Sequence, residues 1–275
     1  MIFVRPSSQT PTNLVERFIN FAEYHYSIDW TAVQRSVAAK LRLNLSFEVL
    51  KCDPVQCPSY WYVPLLVGNY VGASRKAVLE DTETFVTGCL IRHFMFESSC
   101  PFDSTTDVGL FRLVMDAYSG CRTDTDRGLN LPFDERFSAK CLPWMILLVS
   151  GTRSIFAEAG GEDYASAMKT IVLVHSCLQM IDDWHDKVED AARSHWNMWI
   201  HEPIGKNLSV IEPLLHGSRL GIESMRPHLL RRILGVQLQD TAKELRDVVT
   251  VLSKTPSSEE HSLRSVDQRI SDDGR

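Results

Sequence analysis

Apolar side chains recur three and four residues apart along almost the whole chain, the period of an amphipathic helix. The stretch 29–51 (DWTAVQRSVAAKLRLNLSFEVLK) shows it, and so do 75–97, 108–119, 136–159, 163–200 and 207–253, with breaks inside the longer ones. Strand signals are scarce: there is no sustained alternation and no Asn-Gly hairpin turn. A chain patterned this way buries its apolar stripes by packing helix on helix. We therefore expect an all-α fold, a single-domain antiparallel helical bundle over about residues 10–253. Residues 1–9 read as a flexible N-terminus. The tail 254–275 (KTPSSEEHSLRSVDQRISDDGR) offers only Leu263, Val266 and Ile270 as large apolar groups, so it is expected to be disordered.

Punctuation agrees with the period. Gly160-Gly161 closes one helical run, and Glu162-Asp163 opens the next with acids at its positive end. Pro203 and Gly205 end that one, and 124–132 (DTDRGLNLP) reads as a loop.

Composition narrows the function. Hydrophobic types make up 44% of 275 residues, enough for a substantial core. The formal charge of −6 argues against binding nucleic acid through the phosphate backbone. No apolar run reaches the roughly 18–20 residues that a membrane-spanning helix needs. The start, MIFVRPSSQT, lacks the layout of a signal peptide, so a cytoplasmic protein is expected. Seven cysteines, an odd count in a long chain, read as buried free thiols rather than a disulfide framework.

The stretch that carries chemistry is 172–193, VLVHSCLQMIDDWHDKVEDAAR. A mostly apolar helix face ends in Asp182, Asp183 and Asp186, with Asp190 one turn later. Residues i and i+4 share a helix face, so Asp182, Asp186 and Asp190 form a row, and Asp183 lies about 100° round from Asp182. Clustered carboxylates repel unless a cation neutralises them, and hard oxygen ligands suit Mg²⁺, which also bridges to phosphates. The bland alternative is a solvated acidic face with Lys187 and Arg193 as local partners. The apolar run before the acids favours the mouth of an apolar interior instead.

LQMIDDWHD resembles the second aspartate-rich motif of class I isoprenoid synthases, the all-α trans-prenyl diphosphate synthases and their terpene-cyclase relatives. Leu178-Gln179 fit the opening of that motif. Ser138-Ala139-Lys140-Cys141-Leu142 resembles the family's Lys-Thr-x-x-Leu helix, Gly160-Gly161-Glu162-Asp163-Tyr164 resembles the turn before the motif helix, and Met115-Asp116 matches an acid on a preceding helix. The likeness covers about residues 110–193. It implies an isoprenoid-synthase bundle in which Asp182, Asp183 and Asp186 hold Mg²⁺ and Lys140 contacts a diphosphate. Gln179 would lie near the allylic head, with Trp184, Arg136 and Asp116 beside the substrate. A homodimer is common in the family. The implied substrate is a prenyl diphosphate, and the implied reaction removes its diphosphate to leave a carbocation in an apolar pocket.

The first acidic motif of the elongating enzymes, its Arg-Arg-Gly, and the early Gly-Gly-Lys are missing. Substitutes for the first motif are Glu80/Asp81/Glu83, where pairing of Glu80 and Glu83 with Arg75 and Lys76 is the plainer role, and Asp103/Asp107, which reads more as a helix start. These losses favour a Mg²⁺-dependent terpene synthase that cyclises or quenches the cation. The alternatives are a prenyltransferase of the same superfamily and a non-catalytic subunit keeping the fold. Two histidines stand out. His175, seven before Asp182 on the apolar side, reads as a core residue, and His185 is a candidate proton acceptor.

Overall fold

The computed structural model describes residues 32, 35, 36, 63–96 and 133–254. Among these the secondary structure is helical and no strand occurs, as the apolar period requires. The helices are α1 (Val63–Val71), α2 (Arg75–Phe96), α3 (Phe133–Ser150), α4 (Arg153–Ala159), α5 (Glu162–His185), α6 (Lys187–Ala192), α7 (Met198–His201), α8 (Ile204–Ser224) and α9 (Leu229–Lys254). No helix among the described residues is long and apolar enough to cross a membrane. The expectations for the termini, the loop 124–132, the helix 108–119, Asp103, Asp107 and Asp116 fall outside the described residues.

The long motif helix α5 is the centre of the bundle, with α8, α9 and α1 packed on it. The other layer is α2 against α3 and α4. One apolar cluster joins Leu65, Val67, Tyr70, Val78, Phe85, Leu147, Ile155, Val174 and Leu230. A second, at the C-terminal end of α5, joins Phe137, Cys141, Met180, Ile181, Trp196, Met198, Trp199, Leu245 and Val248. Cys141 and Cys177 are buried free thiols, as expected for small hydrophobes.

The α1 helix has no counterpart in the expected elements. Its sequence, VPLLVGNYV, is apolar all round and nearly all buried, so it carries no polar face for a helical period to mark. The expected 136–159 run is divided at Gly151-Thr152. The backbone of Gly151 lies against Phe85, and a Cβ there would meet that ring at 2.5 Å. Thr152 Oγ1 donates back to the Leu148 carbonyl at 2.7 Å. The new helix then starts on Asp81 of α2, whose carboxylate accepts from Ser154 N (3.0 Å) and Ile155 N (2.7 Å). The expected 207–253 run divides at 225–228, where Pro227 denies the helix a donor. Gly160-Gly161 and the acidic opening of α5 are as read.

Candidate functional site

The C-terminal half of α5 sorts its polar groups by face. Ile171, His175, Leu178 and Asp182 follow one another at three- and four-residue steps and so share a stripe. The first three line an apolar hollow of about 30 Å³, together with Val63 and Leu66 of α1, Trp144 of α3, and Leu230, Leu234 and Gln237 of α9. Asp182 stands two turns along the same stripe from His175, about 10 Å by the helical rise. The aspartates are therefore not a solvated face: Asp182 and Asp183 are both buried, and Asp186 is half-buried.

Asp183 and Asp190 turn to α3. Lys140 is half-buried, and its Nζ lies 2.7 Å from Asp190 Oδ2 and 3.2 Å from Asp183 Oδ1 and donates to the Trp196 carbonyl at 2.9 Å. An ammonium has three donors, and these three acceptors use them all. Asp183 also accepts from Gln179 Nε2 (3.0 Å) and from the Met198 amide (3.4 Å). Asp190 also accepts from Asn197 Nδ2 (2.9 Å) and lies 3.5 Å from His195 Nδ1. Asn197 ties the corner shut: its Nδ2 reaches the Asp183 carbonyl (2.5 Å), and its Oδ1 caps α7 by accepting from Trp199 N (3.0 Å).

This capture is why the expected 163–200 helix is not one rod. The chain bends at Asp186, where φ is −91° and ψ 9°, although Asp186 N still donates to the Asp182 carbonyl at 2.9 Å. It then turns through Ser194, a non-glycine residue in the left-handed region at φ 55°. Asp182 and Asp186 remain a pair on one side of the bend. Asp190 leaves the expected row of three and joins Asp183 on the Lys140 side. Gln179 bridges the sets, donating also to Asp182 Oδ2 at 3.0 Å.

The electrostatics follow from this division. Burial works against a charged Lys140, but Asp183 and Asp190 outweigh it and hold the ammonium well above the ordinary lysine range. Asp190 also opposes its own burial, and hydrogen bonds from His195, Lys140 and Asn197 keep its carboxyl below the usual range. Complete burial pushes Asp183 up, with Lys140 and Gln179 pulling against it. Burial raises Asp186 too, and the like charges of Asp190 and Glu189 add to the rise.

The linkage for Asp190 has a definite sign. Its folded-state pKa is depressed, so its stabilisation is present above the unfolded value of about 3.9 and lost as pH falls through the lower folded value. Urea midpoints measured from pH 6 to pH 2 are expected to fall in that acid window for the wild type. The fall should be shallower in Asp190→Asn, and parallel curves would contradict the assignment.

The remaining sequence candidates separate. Arg136 lies one turn before Lys140 on α3 and is half-buried. Trp184 is edge-on to Trp199 (5.8 Å, 83°) and under Lys187 Nζ (3.3 Å), and it is not among the residues lining the hollow. His185 is exposed and pairs with Glu244 of α9 at 2.7 Å, outside the hollow. That contact also brings Glu244 of α9 beside the motif.

Asp81 caps α4 near Thr152, which meets Tyr164 at 2.8 Å. Tyr164 is at the start of α5, some 25–30 Å by helical rise from Asp182. Glu83 accepts from Ser36 Oγ at 3.1 Å. The carboxylate of Asp81 is thus spent at the opposite end of α5 from the motif. Asn197 carried no signal in the sequence, since its partners come from other turns of the chain. Among the described residues no three His, Cys, Asp or Glu side chains gather into a cation cage. No protein-family model, curated protein or solved structure matches the chain.

Proposed function

We propose that the chain is a Mg²⁺-dependent class I terpene synthase with the isoprenoid-synthase bundle, ionising a prenyl diphosphate and cyclising or quenching the cation. The observation that carries this reading is the stripe on α5. Leu178 is the last residue of α5 to line the apolar hollow, the buried carboxylate of Asp182 follows one turn later on the same stripe, and Asp186 one turn further out. Mg²⁺ is commonly bound through one or two carboxylates, waters and substrate phosphates. The donor set Asp182 and Asp186 fits that demand, and a cation would offset the burial, and after it the like charges of Asp190 and Glu189, that raise the Asp186 carboxyl. When bound, the metal would supply charge neutralisation for the departing diphosphate.

The protein's own residues divide the remaining work. Asp183, engaged by Lys140, Gln179 and the Met198 amide, acts as an anchor rather than a ligand. Lys140 in this arrangement acts by holding Asp183 and Asp190, not by touching diphosphate. Gln179 fixes the rotamers of the adjacent aspartates. The hollow is too small for a whole prenyl tail. It marks where the far end of the tail would seat after α1 or α9 yields. Cytoplasmic location and a homodimer belong to the same proposal. A second reading, a non-catalytic subunit that keeps the fold, takes support from the full use of Lys140 by internal acceptors.

Incubation with C10, C15 and C20 allylic diphosphates plus Mg²⁺ tests the reading. Diphosphate release and a hydrocarbon or alcohol product are expected without any added acceptor. Products formed only when isopentenyl diphosphate is present would instead make it a prenyltransferase. No release with any substrate would overturn the enzymatic reading.

A further inference from the structure

Resting on that reading, we propose that His175 is the proton acceptor that ends the carbocation reaction. Two histidines belong to the motif helix, and the structure separates them. His185 is exposed and paired with Glu244. His175 is 3% exposed, lines the apolar hollow, and lies on the stripe that ends at Asp182. Its ring stacks on Trp144 with centroids 3.5 Å apart and planes 12° apart, which fixes the imidazole in the hollow wall. The other polar side chains in the wall are Trp144, an indole with no acceptor nitrogen, and Gln237, an amide too weakly basic to take a proton.

The chemistry balances with these parts alone. The allylic C–O bond breaks and its electron pair leaves with diphosphate. The π pair of a distal C=C then forms a C–C bond to the head carbon, which leaves the positive charge on a distal carbon; a C–H bond beside that carbon breaks, its pair forms the new C=C bond, and the proton goes to an imidazole nitrogen. The imidazolium returns the proton to diphosphate or solvent when the products leave. A substrate whose head lies at Asp182 would run its tail along the stripe, so His175 would face carbons distant from the head. The olefins formed would therefore carry their new double bond away from the original allylic end.

His175→Phe keeps a flat ring against Trp144 and removes the base. His175→Gln keeps a polar side chain without appreciable basicity and guards against a folding failure in the first variant. Wild type and both variants are incubated with the C10, C15 and C20 diphosphates plus Mg²⁺, with diphosphate release and product identity measured separately. Relative to the diphosphate released, the distal olefin is expected to fall at least tenfold in the folded variants, with alcohol or head-proximal olefin replacing it. An unchanged olefin pattern in either folded variant overturns the role of His175. So does a wild type that releases diphosphate but yields alcohols alone, and both results leave the diphosphate-ionising reading standing. A wild type that releases no diphosphate overturns that reading, and the inference with it.

Discussion

Lys140→Met is expected to destabilise the fold by about 3–5 kcal/mol, the usual cost of removing one partner from a buried ion pair. Lys140 joins two carboxylates, Asp183 and Asp190, and the Trp196 carbonyl. Methionine has similar length, so the loss is charge and donors rather than volume. Asp183 feels it most: it is buried at 1% exposure, and without Lys140 the donors left to its carboxylate among the described residues are the Gln179 amide and the Met198 N–H. Asp190 retains Asn197 and His195 and suffers less. The measurement is a urea-unfolding double-mutant cycle with Asp183→Asn. Neutralising Asp183 should recover part of the loss, giving a coupling of at least about 1 kcal/mol. Additive losses would show that Lys140 acts through packing, and a single-variant loss below about 1 kcal/mol would show that the pair behaves like a surface one.

The same residues explain what could be read before the fold was known. Helices were legible wherever one face stayed polar. The α5 boundary was written in Gly160-Gly161 and Glu162-Asp163. α1 escaped because burial on all sides leaves no period. At the motif, the presence of a carboxylate cluster on an apolar helix was legible, because it depends only on local order along the chain. The division of labour within it was not. Asp182 and Asp183 are neighbours differing by about 100° of helical rotation, and which of them meets a cation depends on where α3 lies. That is decided by packing between segments more than forty residues apart. The same holds for the histidines. His185 sits inside the motif in sequence yet faces Glu244, whereas His175, nearly three turns earlier, faces the hollow.

Asp182→Asn and Asp186→Asn are each expected to lower diphosphate release by about 10²–10³-fold, the scale of losing one preorganised electrostatic contact in a reaction that develops charge on a leaving group. The stability effects should run the other way for Asp186. Its pKa is raised by burial and by Asp190 and Glu189, so its charged form is unfavourable in the folded state. Removing that charge is expected to leave the urea midpoint at pH 7 unchanged or slightly higher, in contrast to the loss in Asp190→Asn. A residue that costs stability and is needed for activity is what a site, not a scaffold, requires. Binding gives a second readout independent of turnover. Mg²⁺ with inorganic diphosphate should raise the thermal midpoint of the wild type, because a ligand that binds only the folded state stabilises it by mass action. The shift should vanish in Asp186→Asn. A full thermal shift in that variant, or turnover within about threefold of wild type, would remove Asp186 from the metal site and leave the carboxylates as a helix-end device held by Lys140.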